Sequence, residues 1–430
     1  MTTATIDATE PAPERDWTFA SGWTLGLLTL IYALNYLDRQ IISLVLPLIK
    51  ADLQISDTML GLITGFAFVL FYSLMGIPIA RLADRSNRRN IIAIGCAFWS
   101  AMTVVTGMVT SVWQLAASRF LMGAGEACGI APSNSMIADL FSAAKRPLAL
   151  SIMTAGNGLG SLLLFPIVGW IALHYGWRAT FYVAGVAGIV VALIFFLTVR
   201  EPRRRDVQPL VRRETFREAL AFLAGSRAYL WLLAGGAAMG ISLYANIVWN
   251  SSFLVRVHGF DMGQIGSTLG PIRGICSALG VLLGGWAVSK LGARNARYRL
   301  IIPGIACILV LPAEILFLLP SDVTTSLIGL GLATFFSAVH LGAGYAACVS
   351  LVPPGMRAMA CAVFLFVANL VGQIAGPLLV GALNDHWASL YGDLAIRYSM
   401  MVGASCATVA GLFLILSSRH FIPDMRRTAA

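Results

Sequence analysis

Four ionisable residues stand where a membrane span should be apolar. Asp38 and Arg39 are neighbours inside the run 23–47, and Arg119 and Glu126 lie seven apart inside the run 112–141. A charge at the centre of a bilayer costs about 3 kcal/mol on insertion scales, so such residues are kept only where they are paired, hydrated or used. On a helix, a separation of seven is two turns, so Arg119 and Glu126 share a face about 10 Å apart along the axis. The first and fourth spans run in opposite directions, which sets Asp38 roughly between their levels. A buried triad of Asp38, Arg119 and Glu126 follows. One guanidinium neutralises one carboxylate, and the second acid is left free to exchange a proton. That chemistry serves proton coupling; the alternative is a static ion pair that fixes helix packing. Arg39 points about 100° away from Asp38, either toward a neighbouring helix or toward an anionic headgroup.

The elements that hold these residues are read from composition. Of the 430 residues, 58% are hydrophobic and 12% charged, with mean hydropathy +0.80, which excludes a soluble globular class. Apolar runs of membrane-crossing length recur to the end of the chain. Twelve helices are expected, at about 21–48, 58–83, 90–110, 112–141, 148–174, 179–199, 228–256, 263–289, 298–320, 323–352, 357–384 and 396–418. Residues 1–20 and 419–430 form polar tails, with an N-terminal half at 21–199, a basic linker at 200–227 and a C-terminal half at 228–418. Lys and Arg concentrate in alternate loops, as the positive-inside rule requires for two cytoplasmic termini. The net charge of +10 therefore needs no nucleic-acid partner. Within the linker, residues 214–223 read either as an amphipathic interfacial helix or as a solvated basic segment. All seven cysteines fall inside apolar runs without metal-ligand spacing and read as small hydrophobes.

The two halves carry an internal echo. The loop Ala80 to Arg89 after the second helix is matched by Gly285 to Arg294 after the eighth, at an offset of about 205 residues. Parallel six-helix repeats with a midplane site between the halves characterise one transporter architecture. The loop Asp84, Arg85, Arg88, Arg89 and the fourth-helix run Arg119, Gly123, Gly125, Glu126 resemble motifs of the major facilitator superfamily. Within it, Asn35-Tyr36-Leu37-Asp38-Arg39, Gly123-Ala124-Gly125-Glu126-Ala127, Asp139 and Arg200-Glu201-Pro202 are similar to the spinster-type transporters. The resemblance implies an all-α polytopic membrane protein, with twelve transmembrane helices in two pseudo-symmetric six-helix bundles. It also implies alternating access, proton coupling through Asp38, Arg119 and Glu126, and an amphipathic anionic or zwitterionic solute such as a lysophospholipid or sphingoid phosphate. A sugar-acid or aromatic-acid symporter of the same superfamily is the competing reading.

Expected substrate contacts are Tyr32, Asn35, Arg39, Asn157, Asn246, Trp249, Arg273 and Asn369. Arg273, just after Gly270-Pro271, is placed for an anionic group or for loosened backbone carbonyls. Glu314 receives a structural role, since the ninth helix of the superfamily is usually peripheral, and His340 on the tenth reads either as a titrating group or, as a lone histidine on a bundle helix more often is, as a satisfied polar contact. Asp84, Arg85, Arg88 and Arg89 form an expected gate, with Asp139 within reach of its bases. No Walker-type loop or nucleophile constellation is present, so an enzyme is not expected, nor any cofactor or metal. The expected partners are the solute, protons and the lipid bilayer, with the protein a monomer by default in an inner membrane.

Overall fold

Capping side chains mark most of the turns that divide the chain. Ser56, Asn87, Ser111, Ser226, Asp261 and Asp322 each accept a backbone N–H from the first turn of the helix they precede, answering donors that would otherwise be orphaned. The computed structural model describes residues 17–142, 144–204 and 216–426. The first part of the expected N-terminal tail, the linker residues 205–215 with Glu214, and residues 427–430 lie outside the described residues.

The helices are α1 (Phe19–Leu44), α2 (Asp57–Arg85, with a π turn at Ile63–Ala67), α3 (Arg88–Met108) and α4 (Val112–Glu126, resuming as Ile130–Leu140). A continuous run, Arg146–Thr198, is broken only at Gly176, whose φ of 79° turns the chain between α5 (146–175) and α6 (177–198). Then follow α7 (Arg227–His258), α8 (Met262–Gly292), α9 (Tyr298–Leu318), α10 (Val323–Ser350), α11 (Arg357–Tyr391) and α12 (Ala395–Arg426). Eight helical runs among the described residues are long and apolar enough to cross a membrane; two of them, Arg146–Thr198 and Met359–Arg426, each hold two crossings. The remaining two of the twelve helices are the charge-bearing ones. Asn35, Asp38, Arg39 and Gln40 make α1 more polar, and α4 is interrupted after Glu126.

A short helix, Phe216–Ala224, closes the linker. Its Ala219 and Leu223 are buried in the core of the C-terminal half with Tyr229 and Phe421, so its apolar face packs on protein.

The core is not evenly shared. At the end of the bundle opposite the termini, one apolar cluster joins the halves, with Leu37, Ile41 and Leu46 from the first and Trp249, Phe253 and Met400 from the second. Toward the termini each half has its own cluster. The two halves are closed together at one end and separate at the other.

A polar latch completes the closed end. Asp57, 1% exposed at the start of α2, receives both terminal nitrogens of Arg256 from α7 (2.5 and 2.8 Å), Nζ of Lys50 (2.5 Å) and Nδ2 of Asn384 from α11 (3.0 Å). Asp385 accepts the backbone N–H groups of Asp57 and Thr58 and the Thr58 hydroxyl. Losing one member of a buried ion pair costs roughly 3–5 kcal/mol, because the remaining charge is stranded. Asp57→Ala should therefore shift the equilibrium toward opening at this end. In a background lacking the native cysteines, a cysteine placed at the fully buried Leu254 should be labelled more than tenfold faster in Asp57→Ala; an unchanged rate would remove the latch role.

Candidate functional site

Arg39 takes the contact expected of Arg119. Its Nε lies 2.5 Å from Oε2 of Glu126, which is wholly buried, and its Nη2 donates to Oδ1 of Asn35 at 3.0 Å. The guanidinium also stands 4.9 Å over the ring of Phe68 and 4.8 Å over that of Tyr72 on α2, contacts worth about 1 kcal/mol each when partly desolvated. Arg119 lies on α4, also buried. Its Nη1 donates to the backbone carbonyl of Asp38 (3.1 Å), its guanidinium faces Phe181 at 5.4 Å, and its Nε and Nη2 have no hydrogen-bond partner among the described residues. Asp38 itself is buried and turned toward Trp99 and Thr103 of α3.

The expected triad is thus a tetrad with exchanged partners. Its carboxylate–guanidinium contact is Glu126–Arg39, and Asp38 meets Arg119 through its main chain. The physical reason is helix azimuth. The 100° between Asp38 and Arg39 points Asp38 at α3 and Arg39 into the space between α2 and α4. The glycines of α4 permit this closeness: a Cβ on Gly123 would lie 2.6 Å from the carbonyl oxygen of Phe68, and one on Gly125 would lie 2.9 Å from Trp99.

Between the halves, a cavity of about 320 Å³ is lined by Tyr36, Asn157 and Ser161 from the first half. The second half contributes Tyr244, Asn246, Asn250, Arg273, Glu314, Thr334 and others. Of the expected substrate residues, Asn157, Asn246 and Arg273 line it. Arg273 donates to the neutral amide oxygen Oε1 of Gln40 (3.3 Å) and to the Ile247 carbonyl (3.1 Å). Tyr32 lies against Asn157, and Asn35 holds Arg39. Asn369 accepts the Tyr244 hydroxyl at 2.8 Å, and Gln373 donates to the same oxygen; both orient a cavity wall from behind. Trp249 is fully buried and donates Nε1 to the Pro377 carbonyl at 3.0 Å, placing it in the packing between α7 and α11 instead of in the cavity. Glu314 was expected at the periphery, yet it enters the cavity, because α9 turns this face toward α7. A lone acid in an otherwise apolar helix was the available signal.

The gate residues divide. Arg88 is 2% exposed and binds Asp139 (2.5 Å), Glu201 (2.7 Å) and the Ser135 carbonyl. Arg89 donates its backbone N–H to Glu201 and stacks over Phe196. This network ties α3, α4 and the end of α6 within one half. Asp84 and Arg85 are exposed at the separated end, and Asp84 makes no ion pair among the described residues. Lys50, Asp57, Arg256, Asn384 and Asp385 of the latch were not expected as a site. Nothing in their spacing joins residues nearly 330 positions apart, and Lys50 and Arg256 read only as loop charges.

This arrangement of a central cavity, two separable halves and a charged N-terminal core agrees with the relatives of the chain. Residues 28–377 match the profile of the Major Facilitator Superfamily. An MFS-type efflux pump of Mycolicibacterium smegmatis is 30% identical, over 98% of this chain and 97% of its own length. The sphingosine-1-phosphate transporter SPNS2 of Danio rerio is 27% identical, over 94% and 85% respectively. Among solved structures, a bacterial homolog of the human lysosomal transporter Spinster, in an inward-facing and unoccupied conformation, superimposes with a TM-score of 0.84 at 28% identity, covering 96% of this chain and 99% of that one. The chain belongs to the Major Facilitator Superfamily, and it is a transporter similar to the spinster proteins, not an enzyme.

Proposed function

We propose that this transporter is proton-coupled and moves an amphipathic organic solute with an anionic or zwitterionic head across a cell inner membrane, as a monomer with both termini in the cytoplasm. The observation that carries the reading is Glu126, fully buried and held by Arg39 while the nearby Arg119 keeps two unpartnered N–H groups. Two acids and two guanidiniums balance when all are charged. Adding one proton to Glu126 or Asp38 leaves an excess positive charge where water cannot screen it. Arg39 is the side chain that a proton on Glu126 releases, and it stands between Glu126 and the aromatic wall of Phe68 and Tyr72. A freed Arg39 takes an anionic solute group; with Glu126 ionised it is withdrawn. Proton binding and solute binding are thereby coupled through one side chain, and each biases the same equilibrium between the two access states.

The cavity supports an amphiphile. Arg273 supplies a cationic point, and aliphatic residues such as Leu243, Ile247 and Leu330 form a wall suited to an acyl or sphingoid chain. The exposed Asp84 and Arg85 belong to a cytoplasmic gate that is open in the conformation described and re-forms when the other end opens.

In proteoliposomes, Glu126→Gln and Asp38→Asn should each transport without response to an imposed pH gradient; wild-type-like coupling in both variants would end the proton reading. Asp84→Asn should slow transport and increase labelling of cavity cysteines from the cytoplasmic face, and no change in either removes the gate role. Thermal shift in detergent should show stabilisation by lysophospholipids or sphingoid phosphates, up to about 2.7 kcal/mol at a hundredfold excess over Kd. Stabilisation by hexuronates alone would favour the sugar-acid alternative.

A further inference from the structure

Two opposite charges of the second half line the central cavity without meeting each other. Glu314 on α9 is 2% exposed, lines the cavity and forms no ion pair among the described residues. Its Oε2 has no hydrogen-bond partner there either. Arg273 on α8 lines the same cavity, and its hydrogen bonds go to neutral groups, Oε1 of Gln40 and the Ile247 carbonyl.

Both charges are seated on α7. The amide NH2 of Asn246 donates to the Glu314 carboxylate and to the Ser242 carbonyl at 3.1 Å, two bonds for its two hydrogens. Arg273 is anchored by the carbonyl of the next residue, Ile247, at 3.1 Å. Consecutive residues differ by about 1.5 Å along a helix axis and about 100° around it. The acid and the base are therefore anchored at one depth on different sides of α7, and neither closes on the other. An anion alone would answer Arg273 and strand the carboxylate; a cation alone would do the reverse. A head carrying both charges answers both. The neutral side chains of the same wall indicate which cation fits. Oδ1 of Asn157, of Asn246 and of Asn250 has no partner among the described residues, and all three atoms are acceptors. Such a wall favours a head rich in N–H donors, which a protonated amine supplies and a quaternary ammonium does not.

We infer that Glu314 is the counter-ion of a protonated, N–H-bearing amine on the transported solute, with Arg273 holding the anion of the same head. This rests on the amphipathic reading above and narrows its choice of head from anionic or zwitterionic to zwitterionic. Glu314 then sets specificity by repulsion as well as by attraction, because an anionic head without an amine meets a buried carboxylate that stays uncompensated. The acids on α1 and α4 take no part in this selection.

The test measures equilibrium binding to the purified full-length protein with four lipids of one acyl chain: a lysophosphatidylethanolamine, its N-acetyl derivative, a lysophosphatidylcholine and a lysophosphatidate. The wild type should bind the ethanolamine lipid more than about tenfold tighter than the other three, as expected when one member of a buried charge pair goes unanswered. In Glu314→Gln that advantage should vanish while lysophosphatidate binds at least as tightly as to the wild type, which also shows that the variant is folded. Glu314→Asp, which keeps the charge, should keep the ranking. The wild-type ranking decides the matter by itself should Glu314→Gln fail to fold. Equal affinity for all four lipids overturns the amine site and leaves the amphipathic reading standing; binding of none overturns both. An amine preference that survives in Glu314→Gln overturns the assignment, and if that variant loses only a response to pH, Glu314 serves a proton instead.

Discussion

A charge inside a low-dielectric medium must find its answer within a few ångströms, and in this molecule that demand is concentrated where α1, α2, α3 and α4 meet. Two unit charges 4 Å apart interact by about 4 kcal/mol at an effective dielectric of 20, a large fraction of the stability of an ordinary domain. Glu126 and Arg39 sit within that range, with Asp38 and Arg119 beside them. The helices that carry them are held close by Gly123 and Gly125, where any larger side chain would meet backbone or Trp99. The close approach of these helices at Gly123 and Gly125 and the polarity of α1 go with housing these four groups together.

The second half answers the same demand differently. It carries a single guanidinium and a single carboxylate on the cavity wall, Arg273 and Glu314, which do not pair with each other. The four buried charges of the first half, Asp38, Arg39, Arg119 and Glu126, balance one another, whereas Arg273 and Glu314 of the second stand apart on the cavity wall. The duplicated architecture has therefore diverged in charge while keeping its helical framework, and the two halves act as unlike partners around one cavity.

Much of this was legible beforehand, for reasons that can be located. Long apolar runs and the spacing of basic loops signal twelve spans, and the echo of Ala80–Arg89 at Gly285–Arg294 signals two related halves. The acids and bases of α1 and α4 are conspicuous because they break apolar runs. Their pairing was not legible, because it depends on azimuth: a helix rotation of a few tens of degrees decides whether Asp38 or Arg39 meets Glu126. Trp249 illustrates the same limit, since an indole serves packing or a cavity wall according to the face it presents. The cluster around Asp57 was hidden for another reason. It joins residues at the helix ends of both halves, and sequence carries no local trace of contacts made across the whole chain.

The single-residue turn at Gly176 bears on how the two halves are joined. With so short a link between them, α5 and α6 have little slack to move apart at this end, and the entropy of closing such a link is small. They form one hairpin, flanked at its two distal ends by the basic residues Lys145-Arg146 and Arg200. α5 packs against α8 of the other half and α6 against α3 of its own. One short turn thus ties a helix seated on the opposite half to a helix seated beside the charged core.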